Sequence, residues 1–513
     1  MKTYVPWPER PPKQFRGVSG AVAGLAVASY RALAPVVSRT AGLIFLAAVV
    51  VTCLLTWAVA LLLHACVGAQ AALVEAGKAT AGQWLSTDQL AEGARMIGSS
   101  APGWLLWLVQ SSLVRDIIGV LGVLGFVSVL AVFLIWWERK ISGHIQSRLG
   151  PMRVGCWHGW AQSPADGLKL ICKEDLIPDN ADGLLFRLAP YLTFVPVLVA
   201  FFTLPFGLSW VFRNLDVALL LILAMLGLEV MGVLAAGWAS NNKWSLYGAM
   251  REACQVVSYE IPLGMSLLIP VMVAGTLRLG GEGSLAAYQQ GGWFHWLAWH
   301  SPWTFVAMFT YFIASLASCK RAPFDLPEAE SELVAGFLTE YSGFRWSLFF
   351  FAEYAAMFIV SGVLVILFLG AWDAPWVGLA PAGWATSDSL MTQLLYGVIF
   401  SGPIWFILKC MFFIYVQMWL RWTLPRIRID QVLYSCVQVI LPLTLVLLLG
   451  SVFWELGLQH SAAFGSVAKV VSVILALIGV VMAVAVLCVA YAGFSRRVSL
   501  VGTQAVRRPL RGG

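Results

Sequence analysis

The sequence predicts an all-α polytopic membrane protein with about ten transmembrane helices and large cytoplasmic loops. Three observations carry that expectation. Of 513 residues, 60% are hydrophobic and 12% are charged, whereas a soluble globular chain carries about 25% charged residues. The apolar residues lie in runs long enough to cross a bilayer, which takes roughly 20 residues of helix. Lys and Arg are distributed unequally between the two sides of those runs, as the positive-inside rule expects of a multi-pass protein.

Taken in order, the runs lie near 41–66, 115–137, 186–209, 216–238, 258–277, 302–318, 346–371, 395–419, 433–455 and 467–493. No cleavable signal peptide is expected: the first run starts near Ala41, and no small-residue cleavage site follows a short apolar core. The fourth run contains Glu229 and the eighth contains Lys409. A charge at mid-span costs roughly 2.5–3.5 kcal/mol on insertion scales, which makes both residues functional candidates. A protonated Glu229 hydrogen-bonded inside the bundle is the plain alternative. The fifth run holds Pro262 and Pro270 and should be kinked. The sixth, at 302–318, is short.

Placing the N-terminus inside puts 26 of the 33 basic residues on inner segments and six on outer ones, with Lys409 within a span. Both termini are therefore expected on the cytoplasmic side, and the net charge of +7 needs no nucleic acid to explain it. The three large inner loops, 138–185, 239–257 and 319–345, hold most of the polar motifs. A chain decorated on one face is expected to dock a partner there. Nine cysteines stand singly with no Cys-x-x-Cys pair, and six histidines form no pair at helical spacing. No metal or iron–sulfur ligand set is expected. Gly119, Gly122 and Gly125 lie inside an apolar run and read as helix packing, not as a dinucleotide loop.

The third inner loop is the most informative. Asp325, Glu328, Glu330, Glu332 and Glu340 crowd into it, with only Lys320, Arg321 and Arg345 nearby. Crowded carboxylates titrate as a coupled set with some pKa values raised. Proton movement or charge-linked gating would need such a set; a solvated acidic surface loop is the plain alternative. The first inner loop opens with Glu138-Arg139-Lys140 and continues through Arg148 to Pro151. In the same loop 165–175 has helical periodicity, with Asp166, Lys169 and Lys173 on one face. A lipid-facing basic helix and a functional site are equally compatible with it. In the second loop Glu252 and Glu260 stand eight residues apart, about two turns. Lys409, a lone mid-span cation among several acids, suggests internal pairing, either structural or part of a proton path.

Four segments carry a family resemblance: Glu138 to Pro151, Gly237 to Glu260, Arg321 to Gly343, and Trp419 to Gln431. In order, spacing and side, the chain resembles the H-subunit family of NADH–quinone oxidoreductase (complex I), whose mitochondrial counterpart is NADH dehydrogenase subunit 1. The resemblance divides the chain into an N-terminal extension at 1–114 with one extra transmembrane helix, an eight-helix core at 115–456, and an extra helix with a basic tail at 457–513. It implies a membrane subunit of a proton-translocating complex. That subunit would form the quinone chamber with the peripheral arm and couple quinone reduction to pumping. Arg139, Arg148, Asp166 and Lys169 fall on chamber or loop positions. Glu252, Glu260, Asp325, Glu328, Glu330, Glu332 and Glu340 fall on or beside the acidic proton path, to which the mid-span charges Glu229 and Lys409 are added on their position alone. Arg421, Pro425, Arg426, Arg428 and Asp430 match a loop that contacts the peripheral arm. Met152 departs from the pattern, which usually has Asn there. Implied partners are peripheral quinone-site subunits, antiporter-like membrane subunits, quinone and membrane lipid, in a bacterial cytoplasmic membrane. FMN and iron–sulfur clusters would reside in partner subunits, since this chain shows no site for them and is not expected to catalyse alone. An anchor subunit of a membrane-bound hydrogenase or formate hydrogenlyase is the alternative within the same fold. A stand-alone transporter would call for inverted repeats, and none is evident.

Overall fold

The computed structural model describes residues 112–504, apart from 156–157, 208–210, 213, 282, 380–399 and 401. Within that range the side chains at 112–116, 118, 330–331, 379, 462–463, 486–487 and 489–504 also lie outside the description. The expected span at 41–66 falls outside the described residues, as does the start of the one at 395–419.

Every described regular element is helical. Ten helices organise the chain: α1 Ser112–Ile145, α2 Gln162–Cys172, α3 Gly183–Thr203, α4 Ala218–Ala239 and α5 Lys243–Ala274, then α6 Pro302–Ser318, α7 Gly343–Phe368, α8 Pro403–Thr423, α9 Ile429–His460 and α10 Ala462–Gln504. Among the described residues, eight are long and apolar enough to cross a membrane, and α6 is a shorter apolar helix. Only α2 lacks that character; it follows the first polar loop, as its sequence periodicity predicts.

Local chemistry sets the ends. The Asp182 carboxylate accepts from the Leu184 and Leu185 amides at 3.2 and 3.3 Å and starts α3. Asn242 accepts from the Trp244 amide at 3.0 Å and starts α5. Ser301 and Thr304 form a reciprocal capping box at the start of α6, with Pro302 in its first turn. These side chains satisfy amides that a helix leaves without partners.

The fifth span differs from its sequence expectation. Its helix begins at Lys243, not near 258, so most of the predicted loop 239–257 is helical. Arg251 and Glu252 interrupt the hydropathy there, but each has an ionic partner, Glu332 and Lys320 respectively.

Helix α7 is the axis of the bundle. In its membrane window 89% of residues are buried, against 17% for α10. It packs against α1, α2, α3, α6 and α8. Helices α3 and α4 touch backbone to backbone: a Cβ at Gly232 would stand 2.5 Å from the Thr193 nitrogen. Gly248 on α5 similarly admits the 319–345 loop, since a Cβ there would lie 2.8–2.9 Å from backbone atoms of Phe337, Gly336 and Pro327. At the opposite end of the bundle, the Trp293 indole donates to the Ala476 carbonyl at 3.0 Å, and Gly479 makes room for the Trp299 ring. Helix α9 contains a π-helical stretch, Tyr434–Ile440.

Candidate functional site

Lys320 and Arg321 follow the end of α6 and head in different directions, with Lys320 held at φ 53°. Lys320 reaches Glu229 of α4 at 3.1 Å and Glu252 of α5 at 3.4 Å. Arg321 reaches Glu138 of α1 at 2.9 Å and Glu353 of α7 at 2.7 Å. Two adjacent cations thus bind four carboxylates from four different helices, all buried. Burial disfavours the Lys320 charge, but Glu229 and Glu252 outweigh it and hold its pKa above the ordinary lysine value.

The two halves differ in charge balance. Glu138 also accepts from Arg421 at 2.9 Å and from the Tyr354 hydroxyl at 2.7 Å. The Arg321 guanidinium lies 4.7 Å from the centre of the Tyr354 ring. Glu138, Glu353, Arg321 and Arg421 therefore form a neutral quartet. Glu229 and Glu252 share one Lys320, which leaves one carboxylate in excess. Among the described residues neither Glu252 oxygen has a hydrogen-bond partner, although one is within ionic reach of Lys320.

The acidic loop continues outward from this junction. Asp325 pairs with Arg426 at 3.3 Å, and the Ile427 amide donates to the Pro323 carbonyl at 3.1 Å. The loop between α8 and α9 is thereby fastened to the acidic loop. Glu328 is half-buried beside the quartet. Burial, reinforced by Glu353 and Asp325, pushes its carboxyl well above the ordinary range, against the pull of Arg321 and Lys320. Glu332 pairs with Arg251 at 2.6 Å, and the Asn242 amide donates to Glu340 at 2.6 Å. The Glu330 side chain lies outside the described residues.

Several predicted residues sit apart from the junction. Glu252 is buried while Glu260 is exposed beside Gly227 of α4. Eight residues at 3.6 per turn end roughly 80° away from the starting direction, so one helix face does not hold both. Arg139 pairs with Asp166 across α1 and α2, while Arg148 and Lys169 are exposed. Arg428 and Asp430 are exposed at the start of α9. Arg421 turns inward to Glu138. Among the described residues Lys409 forms no salt bridge with the buried acids of the junction. Its ammonium bonds backbone carbonyls at the far end of α7, away from the acidic loop.

Sequence reasoning missed Glu138 and Glu353 as site residues, and used Lys320 and Arg321 only as counter-charges. Glu353 carries the same signal that marks Glu229, a lone acid in an apolar run. Among the described residues, no cluster of three His, Cys, Asp or Glu side chains could hold a metal ion.

A family model described as NADH dehydrogenase matches residues 118–452. The chain is 48% identical over 322 residues to the H subunit of an NADH-quinone oxidoreductase from Chlorobium luteolum, covering 62% of this chain and 83% of that protein. It is 40% identical over 375 residues to the corresponding H subunit from Anaeromyxobacter dehalogenans, covering 72% of this chain and 88% of that one. The H subunit from Geobacillus thermodenitrificans is 43% identical over 347 residues, covering 68% and 94%.

Proposed function

The chain belongs to the NADH dehydrogenase family of membrane subunits, and from that premise we propose that it couples quinone reduction to proton movement within an NADH–quinone oxidoreductase. It is a membrane subunit of that enzyme and is not catalytic alone. The finer reading concerns its acidic face, the end of the bundle that bears the 319–345 loop.

One observation carries the proposal. Carboxylates run from the half-buried loop residue Glu328 through a neutral quartet to a buried group with one carboxylate too many. An uncompensated buried charge is costly, so a proton is the species that neutralises the excess. A negative charge created near the loop would favour proton uptake by neighbouring carboxylates. Such a charge arises if quinone reacts at this face.

In this reading Arg139, Arg148, Asp166 and Lys169 border the quinone chamber, and Arg426, Arg428 and Asp430 meet the peripheral arm. Glu328 and Asp325 receive the change at the loop, and Lys320 and Arg321 pass it to the helices. Glu229, Glu252 and Glu260 carry it into the membrane, with Glu330, Glu332 and Glu340 bordering the route. Quinone is the substrate, and FMN and iron–sulfur clusters belong to partner subunits. The acidic face is cytoplasmic.

The test is NADH-driven quinone reduction and proton uptake by the purified complex in vesicles, with Glu252→Gln and Glu260→Gln variants. Both variants are expected to slow coupled turnover while assembly is retained. Unchanged turnover and pumping in normally assembled variants would sink the assignment.

A further inference from the structure

The far end of α7 raises a different question. A helix leaves its last carbonyls without partners, and the bilayer interior supplies no water to satisfy them. Two side chains from outside α7 satisfy carbonyls here, one on the last turn of the helix and one in the segment that follows it. Gln289, fully buried, donates to the carbonyls of Ile366 and Leu367 at 2.8 and 3.1 Å. Its own oxygen accepts from the Gly370 and Leu297 amides at 2.9 and 3.3 Å. Lys409 of α8 donates to the carbonyls of Leu369, Ala371 and Asp373 at 2.5, 3.1 and 2.7 Å.

An ammonium has three N–H bonds, and each of these finds a carbonyl. A neutral amine has two, and would leave one carbonyl facing a lone pair. The Trp296 ring lies 4.3 Å from the nitrogen and presents its negative face to the cation. The buried Asp373 carboxylate also acts on it. Burial works against a charge here, and the carbonyls, the ring face and the carboxylate together offset it for a small monovalent cation bearing N–H donors.

We infer that the Leu369, Ala371 and Asp373 carbonyls and the Trp296 face form a built cation site, filled by the tethered Lys409 ammonium. Lys409 is a positioning residue: it fixes the segment that follows the helix carrying Glu353, and it does not pass a proton on. Losing its proton would release a carbonyl that no other described residue is seen to bond. A relay needs a group that gives up its proton and takes another, whereas this one is held in a single state by saturation of its donors. The activity arm of the test rests on the proposed function; the stability arm does not.

The experiment uses the assembled complex in nanodiscs. Lys409→Ala empties the site and is expected to lower the thermal unfolding midpoint by several degrees. Methylammonium chloride should recover part of the loss, while tetramethylammonium chloride, which has no N–H, should recover none. Lys409→Arg keeps the charge but presents a planar fork, so its midpoint should also fall; this variant gives the answer if alanine blocks assembly. Assembled Lys409→Met should keep the parent ratio of protons moved per electron. An alanine variant as stable as the parent would overturn the inference. So would equal recovery by both ammonium salts, an arginine variant of parent stability, or a changed proton-to-electron ratio. If the unsubstituted complex shows no NADH-driven quinone reduction, the proposed function fails while the thermal arm still decides the cation site.

Discussion

Replacing Arg321 with methionine tests the charge arithmetic of the junction. The guanidinium is 1% exposed and contacts Glu138 at 2.9 and 3.0 Å and Glu353 at 2.7 Å. Methionine keeps much of the volume and removes the charge. Glu138 would retain Arg421 at 2.9 Å and the Tyr354 hydroxyl at 2.7 Å. Glu353 would lose the one cation it pairs with among the described residues, leaving a buried carboxylate uncompensated. Stranding one partner of a buried pair costs about 3–5 kcal/mol. By contrast, Arg139 and Asp166 are 43% and 32% exposed in their side chains, and loss of such a pair costs about 0–1 kcal/mol. We therefore predict a large drop in the denaturant midpoint for Arg321→Met and a small one for Arg139→Met, both in mixed micelles. Adding Glu353→Gln removes the stranded charge, so the double variant should be more stable than Arg321→Met alone. Equal losses for the two arginine variants, or no recovery in the double variant, would refute the reasoning.

Two further outcomes are predicted. The raised Glu328 carboxyl keeps a proton in the folded chain over a pH window in which the unfolded chain has released its own. That contribution to stability is fully present below the ordinary carboxylate range and is lost as pH rises through the raised value. Glu328→Gln should flatten the fall in melting temperature across that window, and parallel slopes for variant and parent would rule this out. Gly248→Ala places a Cβ 2.8–2.9 Å from loop backbone atoms, an overlap expected to cost about 1–3 kcal/mol. It should displace the acidic loop and reduce quinone turnover in assembled complex; parent-level turnover and melting would show that the loop yields freely.

Hydropathy makes the bundle legible because a bilayer imposes one length on every crossing segment. Single charges inside apolar runs are equally visible, and Glu229 and Lys409 stand out for that reason. The same criterion extends to Glu353, which sits in the run forming α7. The partners are less visible. That Lys320 and Arg321 diverge depends on a backbone turn, and that their acids converge depends on how four helices pack. The role of Lys409 is harder still to see, because its partners are backbone carbonyls that carry no letter in the sequence. The early start of α5 is hidden for a related reason. Charges lower its hydropathy, and only the folded loop shows that Arg251 and Glu252 are matched.

The packing of α10 has a consequence in time. Trp293 bonds a carbonyl 183 positions further along the chain, and Trp299 fits against Gly479 on the same helix. A ribosome finishes the tryptophan loop long before it makes the helix that covers it. Through that interval the rings lack the cover that α10 gives them, and the bundle closes at this end only when that later helix arrives. A helix made late thus completes a surface laid down nearer the middle of the chain.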